Sequence, residues 1–234
     1  RTDIFATDEI KEINKQAGAN SKDQGPPLVP FNTRIQLNGL YLLLFSDERG
    51  IFYYNPVVIF GILGLILAVK NKVSDNLAIV IITVVMVNIL LYSMFGDPWG
   101  GWSFGPRYLI PATALLCTGI GYSLSKFGRN PFFSLGFIAV LIYSVGISVL
   151  GSATTNLVPP KVEAVNLAKP VPHTYEYNYL MAEANKSGVL IYNLFLRNFI
   201  NVKTFIYFYA TAILTVIISF FGAGLVFKER KING

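Results

Sequence analysis

The run Gly96-Asp97-Pro98-Trp99-Gly100-Gly101-Trp102-Ser103-Phe104-Gly105-Pro106-Arg107-Tyr108 sets a carboxylate, two indoles and a guanidinium among glycines, between two apolar stretches of chain. Such a set suits an anion. Pro106 fits the first position of a helix, where its fixed φ is already helical and its missing N–H costs nothing, so Arg107 falls at the N-terminal end of that helix. A cation there is repelled by the helix dipole by about 0.3–1 kcal/mol, and an anion reverses the sign. Free N–H groups joined by a guanidinium that grips two oxygens would make a phosphate site. Gly100, Gly101 and Gly105 would let the backbone approach a ligand, Trp99 and Trp102 offer flat faces to a sugar ring or an isoprenoid tail, and Ser103 adds a hydroxyl. Two plainer arrangements fit the same residues: Arg107 snorkelling to a membrane interface with the tryptophans as belt residues, or Arg107 closed in an ion pair with Asp97.

The elements that position this hairpin belong to a membrane protein. The chain is 53% apolar and only 14% charged, with a mean hydropathy of +0.51, outside the range of ordinary soluble domains. Runs at 51–69, 76–95, 107–124, 132–150 and 204–227 approach the ~20 residues that a helix needs to cross a hydrocarbon core of ~30 Å. This predicts an all-α, multi-span transmembrane helix bundle with five spans, extracytoplasmic loops and short interfacial helices. None of the runs is a secretory signal behind a basic N-terminal patch. Basic residues gather at span ends rather than in a nucleic-acid patch, so the expected partner is membrane lipid and not nucleic acid. Lys70 and Lys72, Lys126 and Arg129, and the tail residues Lys228, Arg230 and Lys231 fall on one side, which the positive-inside rule makes cytoplasmic. The expected organisation is an extracytoplasmic loop with an interfacial helix over 1–50, a four-span bundle over 51–150 carrying the outer hairpin 96–106, an extracytoplasmic loop over 151–203, and a last span with a cytoplasmic tail over 204–234.

Residues 1–36 read as a surface loop with a short helix at 8–16, closing on Gly25-Pro26-Pro27 and Pro30. Residues 37–45 are too short to span and read as interfacial or re-entrant. Pro56 is placed near a helix start. Gly61, Gly64, Gly119, Gly121, Gly136 and Gly146 are expected at close helix contacts, Asn88 in a hydrogen bond across to a neighbouring helix, and Cys117 in packing. His173 has no second histidine or nearby cysteine to hold a metal with, so a divalent metal, though compatible with the chemistry, has no support in the sequence. The loop 151–203 reads either as a lid or acceptor-side wall or as a packed cap; within it 189–199 is apolar enough to lie on the membrane surface or on the bundle. Asn185-Lys186-Ser187 matches a short glycosylation pattern. A polar N-terminal segment starting at Arg1 and directed outward is expected to follow earlier spans of a longer protein.

Two segments carry a resemblance. Trp99-Gly100-Gly101-Trp102-Ser103-Phe104-Gly105-Pro106-Arg107-Tyr108-Leu109-Ile110-Pro111 resembles the hairpin and helix start of membrane glycosyltransferases of the GT-C superfamily, especially those similar to dolichyl-phosphate-mannose protein mannosyltransferases. Leu43-Leu44-Phe45-Ser46-Asp47-Glu48-Arg49-Gly50-Ile51-Phe52-Tyr53-Tyr54-Asn55-Pro56 is similar to that family's juxtamembrane stretch, and the likeness covers roughly 37–150. It implies transfer of a sugar from a polyprenyl-phosphate carrier to an acceptor on the outer face, with the chain as the C-terminal part of the enzyme. Arg107 would hold the carrier phosphate, Trp99 and Trp102 would border the sugar or lipid, and Arg49 would be a second phosphate contact. The family's catalytic acid lies in an outer loop between its first two spans, which this chain does not contain. Asp97, the only carboxylate in the hairpin, is then the fallback for a base or metal contact, and Asp47-Glu48 depart from the residues expected there. A non-catalytic membrane scaffold or accessory subunit is the alternative. A transporter or flippase is weaker, because the runs offer little beyond Asn88 at mid-depth.

Overall fold

A computed structural model describes residues 33–71, 76–167 and 170–232. The expected helix at 8–16, the Gly25-Pro26-Pro27 turn, Pro30 and Lys72 lie outside them, as do the side chains of Lys228, Arg230 and Lys231. The described chain is helical: α1 (Gln36–Leu44), α2 (Ile51–Tyr54), α3 (Val58–Lys70), α4 (Leu77–Ser93), α5 (Ile110–Phe127), α6 (Pro131–Ala153), α7 (Lys161–Ala164), α8 (Glu176–Glu183) and α9 (Val202–Ile232). A 3-10 turn, Arg107–Leu109, leads into α5, and a π-helical turn, Tyr192–Leu196, precedes α9.

The expectation of five spans is corrected. Among the described residues three helical segments are long and apolar enough to cross a membrane, Arg107–Phe127, Pro131–Ala153 and Val202–Ser219. The other two apolar helices are shorter: α3 has 13 residues and α4 has 17, about 20 and 26 Å at ~1.5 Å per residue, against the ~30 Å of a hydrocarbon core. The run beginning at 51 is cut after Tyr54, because Asn55 leaves the helix at φ −135°, ψ 60° and Pro56 has no N–H to continue it. α4 begins only after Asn76, which sits in the left-handed region at φ 63°. It ends at Ser93, where the chain turns toward the hairpin. Hydropathy runs across the Asn55-Pro56 break without registering it, and α4 starts where its apolar run starts but ends two residues short of it. The molecule is a multi-span, membrane-associated helical protein.

Within it α3 and α5 pack most intimately. A Cβ added to Gly64 would lie 1.8 Å from the Gly119 carbonyl oxygen, and one added to Gly119 would lie 2.1 Å from that of Gly61. Side-chain-free positions therefore let the two backbones touch, the kind of contact that holds helices together where apolar burial gives no drive. Gly121, Gly136 and Gly146 face open space instead. Leu43, Ile51, Val58, Leu65, Val85, Leu109 and Leu116 fill the core around this contact. Asn71 donates to the Tyr122 hydroxyl at 3.1 Å and ties the ends of α3 and α5 together away from the hairpin. At the hairpin end α1 lies against α4, where a Cβ on Gly39 would meet the Ser93 carbonyl oxygen at 2.0 Å. The Asn88 Oδ1 is buried with no hydrogen-bond partner among the described residues, so the bond expected of it to a neighbouring helix is not made.

α6 starts with Pro131 in its first turn, and the Asn130 side chain accepts from the amides of Phe132 at 3.0 Å and Phe133 at 3.4 Å. It meets α5 at few points, and the two helices stand apart. Cys117 is exposed in that gap rather than packed.

Candidate functional site

The hairpin is held by a charge that the sequence placed elsewhere. Arg49 is 1% exposed. Its Nε donates to the Trp99 carbonyl at 3.0 Å, Nη1 to the Glu48 carbonyl at 2.8 Å, and Nη2 to the carbonyls of Val158 at 3.0 Å and Gly101 at 3.3 Å. One planar guanidinium thus joins the loop after α1, the hairpin and the segment before α7. Burial pulls its pKa below the ordinary value, while Tyr54, Glu48 and Asp97 push the other way. The structure gives this residue a bracing position, with its donors directed at main-chain oxygens rather than at open space.

Neighbouring groups complete the frame. The Glu48 carboxylate accepts from the Lys161 amide at 2.9 Å, at the start of α7, where a negative group complements the free N–H end of a helix. The Trp102 indole N–H donates to Glu163 within α7, and the Ser103 amide donates to the Val158 carbonyl at 3.1 Å. The Ser103 hydroxyl turns back to the Trp99 carbonyl at 3.4 Å. Phe104 lies over Gly151 of α6, where an added Cβ would come within 2.3 Å of the ring, and meets Tyr54 edge-on at a centroid distance of 5.2 Å. Pro106 precedes a 3-10 turn rather than opening the α-helix, and Pro111 takes the early position in α5.

Gly100, Gly101 and Gly105 all have positive φ, at 72°, 63° and 64°. They serve geometry first, since such a backbone is open to glycine at little cost. Gly100 also clears space for the Arg107 side chain, whose Nε would be 2.9 Å from an added Cβ; Gly105 does the same for the Tyr54 ring at 3.2 Å.

Arg107 is exposed, and among the described residues its guanidinium enters no salt bridge or hydrogen bond, the expected alternative of a pair with Asp97 included. It lies 5.2 Å from the centroid of the Tyr108 ring, which itself stacks on Tyr92 at 4.6 Å. Asp97 is exposed beside the hairpin, its carboxylate 3.9 Å from where a Cβ on Gly101 would stand.

Beneath the hairpin, where α5 and α6 stand apart, is a cavity of about 510 Å³. Arg107, Pro106 and Gly105 form its rim with Tyr54 and Asn55; Ile110, Thr113, Ala114 and Cys117 line it from α5, and Ile147, Ser148, Gly151 and Ser152 from α6, with Asn156 beyond. Its size falls in the ~300–1,000 Å³ usual for ligand pockets. One cation therefore stands at the mouth of a mostly apolar recess between two membrane-length helices. Of the site residues expected from sequence, Arg107 and Gly105 border the cavity; Trp99, Gly100, Gly101, Trp102 and Ser103 lie in the hairpin above it, and Arg49 braces that hairpin from behind. Sequence reasoning missed Tyr54, Asn55 and the α6 hydroxyls. Tyr54 is 1% exposed, its hydroxyl is buried without a hydrogen-bond partner among the described residues, and burial raises its pKa, so it stays protonated. The residue types at Asn55 and Ser148 carried no signal of their own, because only the fold brings α2 beside α6.

Among the described residues no group of three or more His, Cys, Asp or Glu side chains is placed to hold a metal ion. His173 sits 3.8 Å from Asp47. No protein-family model, curated protein or solved structure matches this chain.

Proposed function

We propose that the chain is part of an integral-membrane glycosyltransferase that takes a sugar from a polyprenyl-phosphate carrier and transfers it to an acceptor on the extracytoplasmic face, with the hairpin and the 151–203 layer on that face and the C-terminus in the cytoplasm. The observation that carries this reading is the exposed Arg107 guanidinium, outside any salt bridge or hydrogen bond among the described residues, at the mouth of the apolar cavity between α5 and α6. A polyprenyl-phosphate sugar has the matching division: an anionic phosphodiester head for the guanidinium, which gains negative charge as the sugar leaves, and a hydrocarbon tail for the recess. In this scheme the acceptor oxygen attacks the anomeric carbon, a carboxylate takes the acceptor proton, and positive charge stabilises the departing phosphate. Arg107 supplies that charge, and Asp97, the exposed hairpin carboxylate, is the candidate base in the hairpin. Trp99 and Trp102 border the sugar.

The test is binding of a polyprenyl monophosphate, with the uncharged polyprenol as comparison, to the purified protein and to Arg107→Ala. A hydrogen bond to a charged group contributes about 1.5–3 kcal/mol, so the variant should bind the phosphate roughly ten- to hundredfold more weakly and the polyprenol unchanged. Equal affinity of both proteins for the phosphate rejects the reading.

A second reading, a non-catalytic accessory subunit, is favoured by the commitment of Glu48 and Glu163 to hydrogen bonds that hold the layer together. It keeps lipid-phosphate binding but removes transfer. Transfer by the full-length protein that falls with Asp97→Asn while carrier binding persists would decide for the enzyme.

A further inference from the structure

The segment between α8 and α9 has two faces. Tyr192, at 3% exposure, and Val202, at 0%, form a small core with Ala182, against which Leu150, Val189, Leu196 and Phe205 pack. On the other face Leu190, Ile191, Leu194, Phe195 and Phe199 are between 61% and 84% exposed. Five large apolar side chains on one short stretch form a patch that water would not tolerate cheaply.

Its height along the bundle is fixed at both ends. The Gly188 amide donates to the Thr154 carbonyl at 2.6 Å and the Ser187 hydroxyl to the Ala153 carbonyl at 2.8 Å, which pins the start to the end of the membrane-length helix α6. The end runs straight into Val202, the first residue of the apolar segment of α9, where the Asn201 side chain accepts from the Thr204 amide at 2.7 Å. A stretch tethered to the ends of two spans lies at the level where hydrocarbon gives way to headgroups. Arg197 and Lys203 are exposed beside the patch, where cations meet lipid phosphates, and the patch continues into the exposed Tyr207 and Phe208 on α9.

We propose that residues 190–199 are a membrane-inserted wedge: Leu190, Ile191, Leu194, Phe195 and Phe199 enter the acyl region of the leaflet on the hairpin side, while Arg197 and Lys203 face its phosphates. Its occupant is lipid, and the wedge fixes the depth and tilt of α6 and α9, and so of the α6 wall of the cavity. It stands independently of any sugar-transfer chemistry.

The test places a nitroxide at this patch in the protein reconstituted in phospholipid vesicles. In a Cys117→Ser background, Phe195→Cys and Phe199→Cys are labelled, with Glu183→Cys, exposed on α8, as the water-facing reference. Collision rates with oxygen, which concentrates in hydrocarbon, and with a water-soluble nickel chelate report depth. Labels at 195 and 199 are expected to show oxygen dominating and nickel collisions lost, and the label at 183 the reverse. Nickel access at 195 and 199 matching that at 183 overturns the proposal, and so does shielding from both reagents, which would mean a covering protein surface or second copy. Both side chains are exposed in the fold, so labelling leaves the core contacts of Tyr192 and Val202 in place.

Discussion

The Arg49 Nε donates to the carbonyl oxygen of Trp99 at 3.0 Å across 50 residues of sequence, and the same guanidinium reaches Val158 across 109. A buried cation whose donors end on main-chain oxygens belongs to the frame of the site, since removing it strands several carbonyls at once. Arg49→Met should lower the unfolding free energy of the detergent-solubilised protein by about 1–3 kcal/mol, the cost of leaving buried carbonyls unsatisfied. Arg49→Lys should recover little of this, because a point ammonium cannot reproduce a planar fork directed at four oxygens. Thermal unfolding followed by circular dichroism checks both; a lysine variant as stable as the parent would show that charge alone suffices.

Gly100 and Gly101 separate backbone strain from site geometry. Both have positive φ, so alanine at either should cost about 1 kcal/mol or a little more. Only at Gly100 does the new methyl meet the Arg107 side chain, at 2.9 Å, whereas at Gly101 the nearest atom is the Asp97 carboxylate at 3.9 Å. Gly100→Ala should therefore weaken polyprenyl-phosphate binding markedly more than Gly101→Ala at similar loss of stability. Equal binding losses would detach Arg107 from the phosphate.

What the sequence disclosed and what it hid divide along a physical line. Helical class, membrane character and the place of Arg107 at the start of a long apolar helix are local properties, written in composition and in the residues either side of Pro106. The number of membrane-length helices was not legible, because hydropathy averages over Asn55-Pro56, where backbone dihedrals end one helix before the next begins, and over Met94-Phe95, which carry the apolar run past the end of α4. Arg49 was misassigned for a different reason: its partners lie far along the chain, and an arginine that binds carbonyls has the same local sequence as one that awaits a phosphate. The glycines divided in the same way, with Gly64 and Gly119 at a backbone contact and Gly121 facing open space though only two residues from Gly119.

That contrast is itself testable. Gly64→Val should force α3 away from α5, because the Cβ alone would overlap the Gly119 carbonyl at 1.8 Å, and the unfolding free energy should fall by an overpacking cost of about 1–3 kcal/mol or more, read as a lower thermal midpoint. Gly121→Ala, with nothing within 4 Å, should be neutral or raise stability by up to about 1 kcal/mol through helix propensity. A destabilising Gly121→Ala would mean that a further helix or subunit packs on that face.

The sidedness of the layer above the bundle can be read through Asn185, which is exposed in a turn at φ 54° and opens the Asn185-Lys186-Ser187 pattern. Translated into eukaryotic microsomes, the chain should gain the mass of one glycan at this site if the layer is lumenal, and lose it in Asn185→Gln. In the folded state the Ser187 hydroxyl is held by the Ala153 and Thr154 carbonyls, so modification would have to precede folding of this loop. A chain that stays unmodified while a reporter site added to the hairpin is also silent would place this end in the cytoplasm and remove the outward-facing reading.

The recess and its rim should be separable by mutation. Ala114 lines the cavity from α5, deeper than Arg107 by about two helical turns, or ~11 Å at ~1.5 Å per residue. Ala114→Phe would fill hydrocarbon space and leave the guanidinium in place, whereas Arg107→Ala does the opposite. If the cavity houses a polyprenyl tail, Ala114→Phe should weaken a long-chain polyprenyl phosphate severely while leaving a phosphate on a very short isoprenoid nearly unaffected, and Arg107→Ala should weaken both. Binding measured for each pair in the same detergent decides: chain-length-independent behaviour of Ala114→Phe would put the tail on the outer surface of the helices, with the cavity then a gap between α5 and α6 that no part of the carrier enters.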